Sequence, residues 1–305
     1  MMKENKFIFP SPPVIRIEPA SACNFRCKHC TTGLRMNKSL GIMQREVFDK
    51  IFEKIKHLNF RATVFYHAGE PLLNQNLFYF IDKMAPLSGS MKMVCNGSLL
   101  TDEKIEEILK SSLSLISFSL DGTTAEENNA VRRGSDFEKI TKQIIKLLKR
   151  KKEMGSNLQV DISNVQFLKE AEPEKENLSI PAHLKEAFRD YLDEVAIKCY
   201  PAMYWPGYPR RNSEELDERP ITNRCDNLES TITIRWNGDV VACCYDLTSL
   251  MVLGNILKQS LEEIWNGPKY IAARSALYQY KPASICKGCN AICKPKYLYP
   301  KDLIE

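Results

Sequence analysis

No run of about 18 or more apolar residues occurs in the 305-residue chain, which excludes an ordinary membrane-spanning helix and a membrane partner. The N-terminus carries no basic stretch leading into an apolar one, so no secretory signal is expected and the chain is placed in the cytoplasm. Charge of one sign is scarce. A formal +5 with 27% charged residues gives no case for nucleic acid. The lysines between Lys142 and Lys152 are instead expected on the solvated face and last turn of a helix. Internal repeats and low-complexity segments are also missing. Cysteine is what is present. Eleven cysteines in a chain of this kind are too many for chance thiols and wrongly housed for disulfides, so metal is the better explanation.

Cys23, Cys27 and Cys30 form a Cys-x3-Cys-x2-Cys run just after an apparent strand over 14–18. Three thiolates hold three corners of an iron-sulfur cube, whereas a fully ligated cluster or a structural zinc needs four, so one iron stays open for chemistry. The bland alternatives are a zinc site with a distant fourth ligand, or buried thiols. His29 adjoins Cys30, and neighbours in a tight loop seldom reach one metal.

The first two thirds alternate short β-branched runs with amphipathic segments, the pattern of βα units around a parallel sheet. Strands are expected at 14–18, 62–66, 91–95, 113–120, 157–162 and 194–199, and helices at 44–58, 76–84, 101–111, 136–153 and 182–193. A capping box, Ser135-x-x-Glu138, is read before the fourth helix. Six βα repeats give an α/β fold, a partial, open (β/α)6 version of the TIM-like barrel, with chemistry at the C-terminal strand ends. Residues 1–200 form this unit and 201–224 read as a linker or a loop over the site. In 225–305 comes a small β-hairpin, turned at Asn237-Gly238, and a helix opened by the capping box Ser260-x-x-Glu263.

The cysteine run resembles the signature of the radical S-adenosylmethionine (radical SAM) enzymes, and further segments match that family in order. Gly69-Glu70-Pro71 looks like its motif for the methionyl ammonium of SAM. Asn96-Gly97 matches part of its Thr-Asn-Gly pattern, with Cys95 in the threonine's place as a packed thiol. Ser119-Leu120-Asp121-Gly122 resembles the segment whose serine and acid contact the ribose. Arg132 and Arg133 stand where an arginine pairs with the SAM carboxylate, and the sequence does not choose between them. Cys225, Cys243, Cys286 and Cys289 resemble the auxiliary-cluster domains called SPASM and twitch, nearest in spacing to the deoxyinosamine dehydrogenase type. Cys244 and Cys293 are spares, and a zinc ribbon is the alternative.

The resemblance implies a [4Fe-4S] cluster that binds SAM, an auxiliary [4Fe-4S] cluster, and an external electron donor such as flavodoxin or ferredoxin. It implies reductive cleavage of SAM, hydrogen abstraction from a substrate carbon, and passage of the second electron to the auxiliary cluster, hence an oxidoreductase of dehydrogenase type. Asp246, Tyr245 and Arg235 are candidate proton acceptors. Cys199 would return a hydrogen atom if it faced the radical. Tyr200, Tyr204, Trp205 and Tyr208 would stack on a sugar or grip a peptide, or merely pack a junction. The first strand begins near residue 13, leaving no room for an N-terminal peptide-recognition domain, which tilts the expected substrate toward a carbohydrate or aminocyclitol. A peptide maturase or epimerase is the alternative. A zinc-binding or electron-carrier protein without enzymatic activity is the second.

Overall fold

The computed structural model describes residues 4–37, 39–167, 178–203, 206 and 220–293. Its strands are β1 (Val14–Ile17), β2 (Ala62–Phe65), β3 (Met91–Cys95), β4 (Leu115–Ser119), β5 (Gln159–Gln166), β6 (Val195–Pro201), β7 (Thr231–Ile234), β8 (Asp239–Val241) and β9 (Val252–Asn255). They lie in one sheet of order β6-β5-β4-β3-β2-β1-β7-β8-β9. The first six run parallel, β7 joins parallel to β1, and β8 and β9 return antiparallel. The α/β class and parallel sheet are as expected. The hairpin segment is not a separate sheet but continues the first one through the pairs Val14–Thr231 and Ile17–Ile234.

The helices are α1 (Arg45–Ile55), α2 (Leu77–Met84), α3 (Asp102–Lys110), α4 (Ala125–Val131), α5 (Phe137–Met154), α6 (Ala182–Ala187), α7 (Asp226–Glu229), α8 (Leu261–Trp265) and α9 (Pro268–Tyr278). Their apolar stripes, such as Phe48, Ile51 and Ile55 of α1 and Ile140, Ile144 and Leu147 of α5, cover one face of the sheet. That face presents Ile15, Ile17, Phe65, Met93, Ile116, Phe118, Val160, Ile162, Ile232 and Ile234, all in the core. Burying a side chain of this size contributes about 1.5–3 kcal/mol.

The opposite face is polar, because side chains alternate along a strand. The register sets Arg16 beside Val64 and Thr233, Val64 beside Lys92, Ser117 beside Asp161, and Ser163 beside Lys198. The sheet is strongly curved around this inner face. Four strand spacings of about 4.8 Å would part Tyr66, beside β2, from Tyr200 of β6 by about 19 Å in a flat sheet. Yet Tyr66 and Tyr200 lie within electrostatic reach of each other, as do Lys92 on β3 and Lys198 on β6.

Several local expectations shift. β5 reaches Gln166 because Asn164 and Gln166, polar and unlike a strand in sequence, are buried in the interior. α5 is capped by Asp136, which accepts from Lys139 N at 3.0 Å, while Ser135 accepts from Asn128 Nδ2 at 2.9 Å. The capping box read at Ser135 is therefore replaced by an aspartate cap one residue on. The box at Ser260 is present. At the hairpin, Gly238 alone has positive φ (+84°), and Gly238 N donates to Arg235 O at 2.9 Å, so the turn spans four residues. α4 was not expected, since Ala125–Val131 is polar and shows no apolar stripe. The helix expected over 182–193 stops at Ala187.

Candidate active site

The loop after β1 carries the first three cysteines and is hung on the chain that follows α4. Arg26 N donates to Arg133 O and Lys28 N to Val131 O, both at 2.8 Å, which sets Cys27 against Arg132. A side chain at Gly33 would meet Cys27 O at 2.3 Å, so the loop closes on itself only because that residue has none. Burial pushes the Cys27 thiol up to about 12, with Arg132 opposing. Such a thiol stays protonated at neutral pH without a strong positive charge on the sulfur, and iron would supply one. Arg132 Nε is buried with no partner among the described residues. The donor set thus fits a cluster with room for a further charged group.

Arg132 Nη1 donates to Asp121 Oδ2 at 2.6 Å, and His29 Nε2 lies 3.3 Å from the same oxygen. Asp121 Oδ1 accepts from Val165 N. Burial works against the Asp121 carboxylate, but Arg132 and His29 hold it well below the usual range. Of the two arginines, Arg132 is buried and lies within the electrostatic reach of Cys23 and Cys27, whereas Arg133 is exposed. Ser119 ends β4, half-buried, on the inner face.

Gly69 packs with no room for a Cβ, which would stand 2.3 Å from Ala22 O. Glu70 N donates to Ala22 O, and Pro71 opens a short turn. Glu70 is buried. Its Oε1 accepts from Leu72 N at 3.0 Å and its Oε2 from Asn96 N at 2.7 Å, yet burial pushes its carboxyl up to about 7. Asn96 Nδ2 donates to Asn24 Oδ1 in the cysteine loop at 2.9 Å. The motifs after β1, β2, β3 and β4 therefore meet at one end of the sheet. Cys95 is buried on the helix-covered face.

The second cysteines gather at the other end of the β1–β7 pair. Cys225 precedes α7 and the start of β7, and Cys243 follows β8 as it runs back. Cys225 lies within electrostatic reach of Cys289 and Cys244, and Cys243 within that of Cys244, Cys286 and Cys289. Burial pushes Cys286 up to about 12 and raises Cys243 as well. Cys244 and Cys293 belong to the same gathering, Cys293 through Cys286 and Cys289. Among the described residues no three His, Cys, Asp or Glu side chains close on a single point as around one ion. Thiolates that hold a four-iron cube stand at its separate corners.

Arg235 is fully buried. Its Nε donates to Glu18 Oε2 at 3.3 Å, its Nη2 to Ser39 O at 3.0 Å, and its Nη1 to Ser249 Oγ. Glu18 Oε1 accepts from His67 Nδ1 at 2.8 Å. This Glu18-His67-Arg235 group ties β1, β2 and β7 together and was not expected from the sequence. Asp246 is also buried, with Oδ1 bound to Leu250 N and Oδ2 to Met251 N. Tyr245 is half-buried and interacts with Tyr66 and the nearby thiols. Cys199 shares the register of Asn164 on the face away from Lys198 and Tyr200, and its Sγ donates to Ser179 O at 3.6 Å. That placement turns it away from the inner face. Tyr200 is exposed, while Tyr204, Trp205 and Tyr208 lie outside the described residues.

Residues 17–158 match the radical SAM superfamily, and residues 225–290 match SPASM, an iron-sulfur cluster-binding domain. The chain is 25% identical to the tungsten-containing aldehyde ferredoxin oxidoreductase cofactor-modifying protein of Pyrococcus furiosus, with 90% of this chain and 86% of that protein covered. It is 21% identical to the S-adenosyl-L-methionine-dependent 2-deoxy-scyllo-inosamine dehydrogenase of Niallia circulans, with 92% and 93% covered. BtrN in complex with AdoMet and 2-DOIA shares the fold at a TM-score of 0.55 and 18% identity, over 90% of this chain and 89% of that one. Native anSMEcpe with bound AdoMet does so at 0.61 and 17%, over 84% and 81%. A radical SAM domain implies SAM and a [4Fe-4S] cluster, and a SPASM domain implies auxiliary iron-sulfur clusters. Among the described residues no helix is long and apolar enough to cross a membrane.

Proposed function

We propose that this chain, which carries a radical SAM domain followed by a SPASM domain, is a dehydrogenase-type oxidoreductase acting on a carbohydrate-like small molecule. The supporting observation is the placement of the two cysteine groups at opposite ends of the parallel β1–β7 pair, with the polar inner face between them. A substrate on that face would lie between an electron source and an electron sink. When bound, the clusters and SAM supply one-electron chemistry, ending in hydrogen abstraction from carbon.

The chain's own residues have defined tasks in this reading. Cys23, Cys27 and Cys30 hold the first cluster, and Cys225, Cys243, Cys286 and Cys289 hold the second. Gly69 lets the loop after β2 press on residues 20–22, so that the backbone there and Glu70 receive the SAM ammonium. That cation supplies the counter-charge the buried Glu70 lacks. Asn96 joins Glu70 to the cysteine loop, and Ser119 faces the ribose. Arg132 receives the carboxylate. Asp121 holds its guanidinium in place. Asp246 and Arg235 fix the loop 243–250, Asp246 through Leu250 N and Met251 N and Arg235 through Ser249 and its bonds to Glu18 and Ser39 O. Tyr245 forms the wall beside Tyr66. The electron donor is an external protein such as a flavodoxin or ferredoxin.

The test is anaerobic reconstitution, reduction with dithionite and assay of 5′-deoxyadenosine from SAM. Formation by wild type and none by Cys27→Ala is expected. A fully iron-loaded, reducible wild type that forms none would overturn the reading.

A further inference from the structure

The inner face of the sheet carries more positive charge than the protein itself neutralises. Arg16, Lys92 and Lys198 all project there, from β1, β3 and β6. Asp161 of β5 is the carboxylate that answers Lys92 and Lys198, while Arg16 lies beside Tyr66 and the thiols of Cys243 and Cys244. Lys198 Nζ donates to Asp161 Oδ2 at 2.5 Å, and Lys92 feels Asp161 as its opposite charge and Lys198 and Arg16 as like charges. Burial pushes the Lys92 ammonium down from its ordinary range. Lys92 makes no salt bridge among the described residues, although its register neighbours are Val64 and Leu115. The other acids near these strand ends are committed elsewhere: Glu18 to His67 and Arg235, Asp121 to Arg132 and His29.

Arg16 adds an independent sign. It is 7% exposed, its Nη1 donates to Thr233 Oγ1 at 3.1 Å, and its Nε is buried without a partner among the described residues. A guanidinium left short of acceptors in the interior is costly unless something fills the gap. Tyr66, Ser117 and Tyr200 line the same face with hydroxyl groups suited to a polar ring. Two lysines against one carboxylate, with the Arg16 guanidinium on the same face, are the wrong surroundings for an amine and the right ones for an anion.

We infer that the inner face binds the substrate through a negatively charged group, a phosphate or a carboxylate, held by Arg16, Lys92 and Lys198. This rests on the radical SAM reading only for taking that face as the substrate's place. It narrows the substrate class to an anionic carbohydrate and disfavours an aminocyclitol.

Calorimetry on the reconstituted holoenzyme with SAM saturating tests the inference. The probes are inorganic phosphate and glucose 6-phosphate in one arm, malonate and glucuronate in a second, and glucosamine in a third. At least one anion should bind saturably, about tenfold more weakly in Lys92→Met and in Lys198→Met, as the loss of a charged hydrogen bond implies. Lys92→Arg should restore binding, and Asp161→Asn should tighten it. Tighter binding in the first arm names phosphate, and in the second carboxylate. Iron content and Tm of each variant report its folding. Three results would overturn the inference: no saturable anion, equal affinity in wild type, Lys92→Met and Asp161→Asn, or tightest binding of glucosamine. 5′-Deoxyadenosine formation in the same wild-type preparation is judged separately. Its failure sinks the radical SAM reading, whereas a flat calorimetric series sinks the anion site.

Discussion

The two cysteine groups are built differently, and the difference agrees with the proposal that the first receives a ligand while the second only holds its metal. Around the first, the buried Cys27 and the half-buried Cys23 and Cys30 sit among charges of both signs, Arg132 on one side and Glu70 and Asp121 on the other. Around the second, six thiols gather with few charges, and Arg16 is the cation that reaches Cys243 and Cys244. A zwitterion such as SAM's methionine part finds both of its counter-charges at the first group. At the second, thiols alone are numerous enough to complete a cluster.

Removing one cysteine from each group breaks this comparison most sharply. Cys27→Ala should abolish 5′-deoxyadenosine formation, while Cys243→Ala should retain SAM cleavage and lose substrate oxidation. Chromatography of the reaction mixtures reads both. Iron should fall from about eight to about four per chain in either variant, so a Cys243→Ala protein that cannot cleave SAM would erase the proposed distinction.

Next in size is the ion pair beside the first group. Arg132→Leu leaves Asp121 buried with its main counter-charge gone and should destabilise the fold by about 3–5 kcal/mol. Arg133→Leu, on the exposed neighbour, should change it by less than about 0.5 kcal/mol. Denaturant titration separates them, and equal effects would remove Arg132 from its role.

A smaller effect depends on pH. Burial raises the Glu70 carboxyl from 4.5 to about 7, so the folded state holds more protons than the unfolded one across that window. Stability from this group is present below the unfolded value and declines as pH rises through about 7, by about 3 kcal/mol at most. Glu70→Gln should flatten that slope in denaturation measured from pH 4 to 8. A slope unchanged by the substitution would place the titrating group elsewhere.

The smallest concerns α5, whose first turn follows the Arg132 segment. Asp136→Ala should cost about 1 kcal/mol and Ser135→Ala less, as read by thermal denaturation. The reverse order would restore the capping box first read at Ser135.

Much of the fold and site was legible because the signals are local. Cys23, Cys27 and Cys30 lie close along one loop, and Gly69-Glu70-Pro71 and Asp121-Gly122 follow strands whose apolar alternation marks them. Less legible were groups whose partners are far apart in sequence. Glu18, His67 and Arg235 meet across 49 and 217 positions, and nothing around any one of them marks the others. Polar strand residues such as Arg16, Lys92, Asp161 and Lys198 look like solvent-facing positions in a half-buried strand. Only the curvature of the sheet turns them toward one another.

By itself the sequence determined the cysteine spacing, the βα order and the motifs at the strand ends, since each depends on residues within a turn or a strand of one another. Tertiary structure alone decided that β7 would pair with β1, that Arg132 rather than Arg133 would be buried, that Cys199 would turn from the inner face, and that Lys92 and Lys198 would share one carboxylate. Those outcomes depend on register and curvature, through which residues more than two hundred positions apart come to lie side by side.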